Sequence, residues 1–302
     1  MQVPAEGHQP VLLDEVLTHL NTRPGQVFVD CTLGRAGHSS AIAQRLGESG
    51  VLIGLDADPR NLIYAKSRLE NAPCTVRLFH ANFAELEDVL AEANTPLVHG
   101  ILADLGISTN QLFDPAYGLS FAQEMGLDMR LDPRIRRTAA DIVNTTREDD
   151  LANILFDFAQ ERFSRRIARK IADARRQAPI TTTERLADLV RSAIPSRGGA
   201  PDKIDPATRT FMALRMAVND ELGNLTALLR KAPEHLHPAG GRFGVISFHS
   251  TEDRLVKQAF RSLEQTGQAS IVTKKPIAPT DDEAHRNPRS RSAKLRVIEK
   301  LG

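Results

Sequence analysis

The sequence predicts an α/β fold, a Rossmann-like parallel sheet interrupted by an all-helical insert. Short apolar runs near 27–30, 51–56, 75–80 and 98–105 alternate with helical stretches over 38–46, 59–70 and 83–93. That rhythm marks βαβ units in a parallel sheet covered on both faces. From about 107 to 215, helices and loops follow without a convincing strand. Strand character then returns at Arg242-Phe-Gly-Val-Ile-Ser-Phe, and more weakly at 269–273 and 295–298. The expected domains are 1–107 joined with 216–302, and an inserted helical domain over 108–215.

Each element has a local reason. After Pro10, residues Leu13, Val16, Leu17 and Leu20 share one helical face, a lead-in helix. The run Val27-Phe-Val-Asp-Cys-Thr-Leu-Gly-Arg-Ala-Gly-His-Ser-Ser reads as a buried strand, a glycine turn and a helix start. Gly34 and Gly37 let the backbone bend tightly and approach a ligand, and Ser39 or Ser40 is placed to cap the helix. Asp56 ends the next strand, where an acid accepts hydrogen bonds from ribose hydroxyls. The spacing points to an adenosine-containing cofactor; an ordinary strand–turn–helix is the alternative. Asp104 and Gly106 fall at the carboxyl edge of the fourth strand, in the same expected cleft, although Asp104 as a mere turn cap also fits. His38 reads as a structural or backbone contact rather than a base.

In the insert, Thr146 precedes a helix, Thr181 with Glu184 has capping-box spacing, and Asp205-Pro206 reads as an N-cap followed by proline in the first turn. The segment 276–292, rich in Pro, Asp, Arg and Ser, reads as a mobile loop. The run Ile246-Ser-Phe-His-Ser-Thr-Glu-Asp-Arg brings His249, Ser250, Asp253 and Arg254 to the end of a strand. Without a Gly-x-Ser-x-Gly elbow it makes a poor serine triad, and capping by Ser250 or Thr251 explains it as well.

Residues 162–176 carry seven basic side chains against one acid. At helical spacing Arg162, Arg165, Arg166, Arg169 and Arg176 form one stripe, opposite Phe163, Ile167, Ile171 and Ala174. Such a stripe is either a solvated face or a phosphate contact, and its arginines favour the latter. A looser basic set comprises Arg286, Arg289, Arg291, Lys294 and Arg296. With no Trp and two Tyr a stacking platform is not evident, though Phe83, Phe113, Tyr117 or Phe248 is each able to hold one base.

Bulk properties narrow the classes. The chain has 302 residues, 41% hydrophobic and 25% charged, with a formal net charge of +1, so any polyanion must be met by local clustering. No apolar run reaches the roughly 18 residues of a membrane span, and the N-terminus lacks signal-peptide order. Cys31 and Cys74 stand alone, as expected in a reducing cytoplasm. No phosphate-binding loop of the nucleotide-hydrolase type and no zinc ligand set occurs.

Several runs together resemble one family. They are Asp30-Cys-Thr-Leu-Gly-Arg-Ala-Gly-His-Ser, Asp104-Leu-Gly-Ile-Ser-Thr-Asn-Gln-Leu, Gly118-Leu-Ser-Phe with Leu127-Asp-Met-Arg, Pro206-Ala-Thr-Arg-Thr-Phe, and the Ile246 run. From about Pro10 to Arg296 the chain is similar to the bacterial 16S ribosomal RNA cytosine-N4 methyltransferases (RsmH, formerly MraW). The resemblance implies a class I, S-adenosylmethionine-dependent methyltransferase acting on the exocyclic amine of a decoding-centre cytidine. It implies 16S rRNA or the small subunit as partner, no membrane and no metal, with a homodimer left open. It carries the cofactor contacts to Ala36, Gly37, His38, Asp56, Phe83, Asp104 and Gln111. Where the family often has Gly-Thr-Phe-Gly-Arg-Gly-Gly-His, this chain has Cys31, Leu33 and Ala36, and alanine fits there if its φ stays negative.

Amine methylation needs alignment and an acceptor for the N4 proton; Asp104, His249 and Asp253 are the candidates. C5 methylation would need a nucleophilic cysteine, and Cys31 and Cys74 both read as packing residues. A nicotinamide oxidoreductase and a non-catalytic ribosome-binding module are the rival readings.

Overall fold

The computed structural model describes residues 10–195 and 205–302. The N-terminal stretch read for a leader lies outside them. Two compact units emerge, one of described residues 10–106 with Leu222–Gly302, the other Ile107–Glu221. No helix among the described residues is long and apolar enough to cross a membrane.

The first unit begins with α1 (Leu13–His19), β1 (Val27–Asp30), α2 (Gly37–Leu46), β2 (Val51–Asp56), α3 (Pro59–Arg68), β3 (Thr75–His80), α4 (Leu86–Glu92) and β4 (Gly100–Asp104). Phe83–Glu85, expected to open α4, is a separate 3-10 turn whose capping box is made by Asn82 and Glu85. The second unit holds α5 (Thr109–Phe113), α6 (Ala139–Thr145), α7 (Glu148–Ala159), α8 (Ser164–Arg175), α9 (Thr183–Ala193) and α10 (Ala207–Val218). The chain passes back along α11 (Glu221–Lys231), then forms β5 (Arg242–Ser247), α12 (Ser250–Gln265), β6 (Ala269–Ile271), α13 (Asp281–Arg286) and β7 (Lys294–Lys300).

The strand order is β3-β2-β1-β4-β5-β7-β6. The first five strands in that order are parallel, while β7 runs antiparallel to both β5 and β6. The parallel reading therefore holds except at this edge. Alternate residues face opposite layers. Val29, Ile53, Ile101 and Val245 pack with Leu86, Leu90, Leu228 and Phe260 on one side. Phe28, Leu52, Leu102 and Ile246 pack with Val16, Ile42, Leu46 and Ala65 on the other. The buried runs thus read as apolar throughout because both faces are covered.

The segment 276–292 is ordered into α13 and a 3-10 turn over Pro288–Ser292. Thr280 caps α13 by accepting from Glu283 N–H, and Ile277 pairs with Leu295. Its polar composition comes from caps and turns rather than mobility.

The helical unit has its own core, including Leu151, Leu155, Ile167, Ile171, Leu186, Val190, Phe211 and Leu214. Caps fall a residue from where spacing put them. Thr182, not Thr181, accepts from Arg185 N–H, and Arg147 rather than Thr146 precedes α7. Asp205 accepts from Ala207 N–H at 2.8 Å, but α10 starts at Ala207, so Pro206 is the residue before the helix rather than its first. Gly118 sits at φ +62°, and a Cβ there would run into the Gly126 carbonyl. Gly118→Ala is expected to destabilise the protein by about 2–4 kcal/mol, the sum of left-handed strain and steric overlap. Thermal unfolding checks this, and an unchanged midpoint would mean the loop yields freely.

Candidate functional site

Because β2, β1 and β4 lie side by side, their last residues Asp56, Asp30 and Asp104 reach the same carboxyl rim of the sheet. Asp30 is 2% exposed. Its Oδ2 accepts from Ser39 Oγ at 2.6 Å and its Oδ1 from Thr32 N–H at 3.1 Å; burial raises its pKa against those bonds. Asp56 Oδ2 accepts from Gly34 N–H at 2.7 Å, Oδ1 from Asp58 N–H at 2.8 Å, and both lie 3.3 Å from Asn61 Nδ2. Burial still pushes its carboxyl up to about 6. Asp56 therefore holds the glycine turn itself, a structural duty that its position at the strand end did not disclose.

Asp104 differs from both. Its main-chain N–H donates to Thr32 Oγ1 at 2.6 Å, but its buried Oδ1 has no hydrogen-bond partner among the described residues. Oδ2 lies 3.6 Å from His38 Nδ1. Burial pushes the Asp104 carboxyl up to about 6; His38 opposes the shift, while Asp30 and Glu252 add to it. His38 Nε2 is 2.8 Å from the Val11 carbonyl. A carbonyl only accepts, so Nε2 bears hydrogen, and in the neutral ring Nδ1 turns a lone pair toward Asp104. The expected backbone contact of His38 is present.

The turn departs from expectation in three ways. Ala36 lies at φ +57°, not at the negative φ an alanine prefers; it stands fully buried as the residue before α2. Ser39 and Ser40 do not cap: Ser39 binds Asp30, and Ser40 Oγ donates to the Ala36 carbonyl. The space a Gly37 side chain would need is taken by Pro10, whose Cγ would stand 3.0 Å from a Cβ. Gly37 thus admits the chain's own N-terminal segment.

At the end of β5, His249 is the cap of α12, in place of Ser250 or Thr251. Glu252, 3% exposed, accepts from Phe248 N–H at 2.9 Å and from His249 N–H at 3.3 Å. His249 Nδ1 accepts from Glu252 N–H at 3.4 Å. Its Nε2 lies 3.0 Å from Glu252 Oε1 without lining up as a hydrogen bond. Glu252 escaped the sequence reading, although its place three residues after His249 is the capping-box signal. Asp253 accepts from Arg296 Nε at 2.7 Å and Lys294 Nζ at 3.3 Å. Burial works against the charge, yet Arg296 and Lys294 hold this carboxyl below its ordinary range. Asp253 is tied up as an ion-pair partner and makes a weak base. Arg296, 9% exposed, leaves the surface basic set for the same reason. Ser250 and Arg254 are exposed on α12.

Phe83 is half-buried against the sheet core, and Phe248 half-buried on the opposite layer. In the helical unit Gln111 is 4% exposed, its Oε1 accepting from Ser108 N–H at 3.0 Å. Tyr117 is a core residue at 6% exposure, not a free stacking surface; Phe113 is half-buried. Cys31 and Cys74 are buried, and burial raises both thiols.

On α8 Ile167 and Ile171 are buried and Arg165, Arg166 and Arg169 exposed, as spacing predicts, while Arg162 lies exposed in the turn before the helix and Arg176 just past its end. Acids meet three of them: Arg165 lies 4.0 Å from Asp149, Arg169 3.5 Å from Glu148, and Arg176 3.0 Å from Asp173. Arg175, off the stripe, donates to the Val143 and Thr146 carbonyls at 2.7 Å and so closes the end of α6.

Residues 5–301 match the MraW methylase family. The chain belongs to that family. It is 46% identical to the ribosomal RNA small subunit methyltransferase H of Acidobacterium capsulatum, over 98% of this chain and 99% of that one. The protein of that name from Koribacter versatilis is also 46% identical, over 96% and 93%. That from Clostridioides difficile is 40% identical, over 97% and 99%.

The methylase uses S-adenosylmethionine, and its rim fits that group. An adenosyl amino acid brings ammonium and hydroxyl donors. Asp104 Oδ1, buried and unpartnered, is an acceptor in need of one. Asp104 and Asp56 are charged above about 6 and protonated below it, so a ligand held by carboxylates is lost as pH falls. The apo fold responds with the opposite sign, since raised carboxyls take up protons more readily folded than unfolded. Affinity for S-adenosylhomocysteine by calorimetry is expected to weaken severalfold from about pH 7.5 to about pH 5.5. Asp104→Asn should bind more weakly at the higher pH, with a flatter profile. A wild-type affinity that ignores pH would separate these carboxyls from the ligand.

Proposed function

We propose that this methylase transfers a methyl group to the exocyclic N4 amine of a decoding-centre cytidine in 16S rRNA of the small subunit. Small-subunit rRNA is the object named for its relatives. The observation that carries the amine, rather than ring carbon, is the state of the cysteines. Methylation at C5 needs an exposed, low-pKa thiolate, whereas Cys31 and Cys74 are buried with raised thiols.

The cofactor contacts in this reading are Ala36, Gly37, His38, Asp56, Phe83, Asp104 and Gln111. The bound sulfonium supplies an electrophilic methyl and a positive charge that attack neutralises. The chain's own work is to orient the base and take a proton. The N4 lone pair is delocalised into the ring, so an acceptor on its hydrogens is needed to localise it. Asp104 is the preferred acceptor, a buried carboxyl with a pKa of about 6 suited to receiving a proton at neutral pH. His38, anchored on Val11, faces Asp104 with the Nδ1 lone pair, which favours the carboxyl once it has taken the proton. His249 is the lesser candidate, because its Nδ1 lone pair is used in capping. Phe248 beside it is the aromatic face for the base. Arg162, Arg165, Arg166, Arg169 and Arg176 supply phosphate contacts in this reading, Arg162 and Arg166 foremost because no acid pairs with them among the described residues.

Incubation with labelled methyl donor and unmethylated small subunits, followed by nucleoside mass spectrometry, is expected to give N4-methylcytidine. Label in 5-methylcytidine or a ribose methyl would overturn the assignment. Asp104→Asn should lower turnover at saturating cofactor by about 10²-fold or more; wild-type turnover at saturation would remove it as the acceptor.

A further inference from the structure

We propose that the exposed face of α12 is a track for the sugar-phosphate backbone of the RNA strand delivered to the site; this rests on the RNA reading above. Arg254, Lys257 and Arg261 are all exposed. At 100° per residue they fall within an arc of about 60°, and they span about 10 Å of helix axis. The helix starts directly after β5, whose Ile246 is in register with Asp104. Arg254 therefore stands one turn into a helix that leaves the sheet at the same rim as the candidate acceptor.

A solvated helix face normally mixes charges of both signs. This one is predominantly basic, because two of the three acids of α12 are committed elsewhere. Glu252 is buried in the capping box. Asp253 is held by Arg296 and Lys294. The third, Glu264, is exposed at the far end of the face, three residues after Arg261, where its Oε1 accepts from Ile271 N–H at 3.3 Å. Among the described residues no acid pairs with Arg254, Lys257 or Arg261. Arg254 and Lys257 stand at i,i+3 and Lys257 and Arg261 at i,i+4, spacings at which like charges repel and weaken a helix. Among the described residues no ion pair offsets that repulsion. A polyanion does, and counterion release from its phosphates would drive association. On α8, by contrast, Arg165, Arg169 and Arg176 each have an acid within 4.0 Å.

The test is the triple variant Arg254→Glu, Lys257→Glu, Arg261→Glu, with Arg165→Glu, Arg169→Glu as the comparison. Binding to unmethylated small ribosomal subunits is measured by filter retention over a salt series. For the α12 variant, affinity near 0.1 M salt is expected to fall at least about tenfold. The slope of log K against log salt should shrink by about 2, since three single-strand phosphate contacts contribute about 0.7 each. Its unfolding midpoint and S-adenosylhomocysteine affinity should stay at wild-type values. Unchanged affinity and slope in a variant that folds, with wild type binding normally, would overturn the track. So would a loss confined to the α8 variant. Wild-type protein that fails to bind the subunit would remove the RNA reading itself, and the track with it.

Discussion

Burying carboxylates at the ends of adjacent parallel strands is the constraint around which the α/β unit is organised. A carboxylate removed from water without donors costs several kcal/mol, and Asp30, Asp56 and Asp104 all face that penalty along one rim. The loops after the strands are shaped to answer it. Thr32 and Ser39 serve Asp30, while Gly34, Asp58 and Asn61 serve Asp56. The tight turn, with Ala36 in a left-handed conformation, follows from supplying these donors. Among the described residues, Asp104 alone of the three is left with an oxygen short of a donor.

How much of this was legible depended on the range of the interaction. Apolar runs bounded by turns exposed the strands, because burial on both faces imprints every residue of β1, β2 and β4. The switch to helical periodicity exposed the insert. Contacts far apart in sequence left no local trace. The Asp253–Arg296 pair joins residues 43 apart, so Asp253 looked free to act as a base and Arg296 looked like a surface charge. The reversal of β7 follows from a chain path that no periodicity encodes. Tyr117 looked available because a lone aromatic says nothing of the helices that pack over it.

Capping shows an intermediate case. The spacing of Thr181 and Glu184 located the start of α9 to within one residue, but the backbone selects which hydroxyl turns inward, and it selected Thr182. At α12 the hydroxyls of Ser250 and Thr251 drew attention from His249, whose ring nitrogen does the same work. Composition misled at 276–292 for a related reason: the residues that make loops soluble also make short helices and their caps. The rim carboxylates were legible as strand-end acids, yet the hold of Asp56 on the Gly34 turn required the hydrogen bonds themselves.

The path of the chain also bears on how the protein is made. Strand β4 ends at Asp104 and its neighbour β5 begins only at Arg242, so on the ribosome the growing sheet carries an unzipped border while the whole helical unit emerges. That unit has a separate core and can condense in the interval, sequestering its own apolar surface. The bond from Leu12 N–H to Glu283, bridging 271 residues, forms only near the end of synthesis. Until release, the nascent molecule is half a sheet with one raw flank, the stage at which a chaperone would have most to shield.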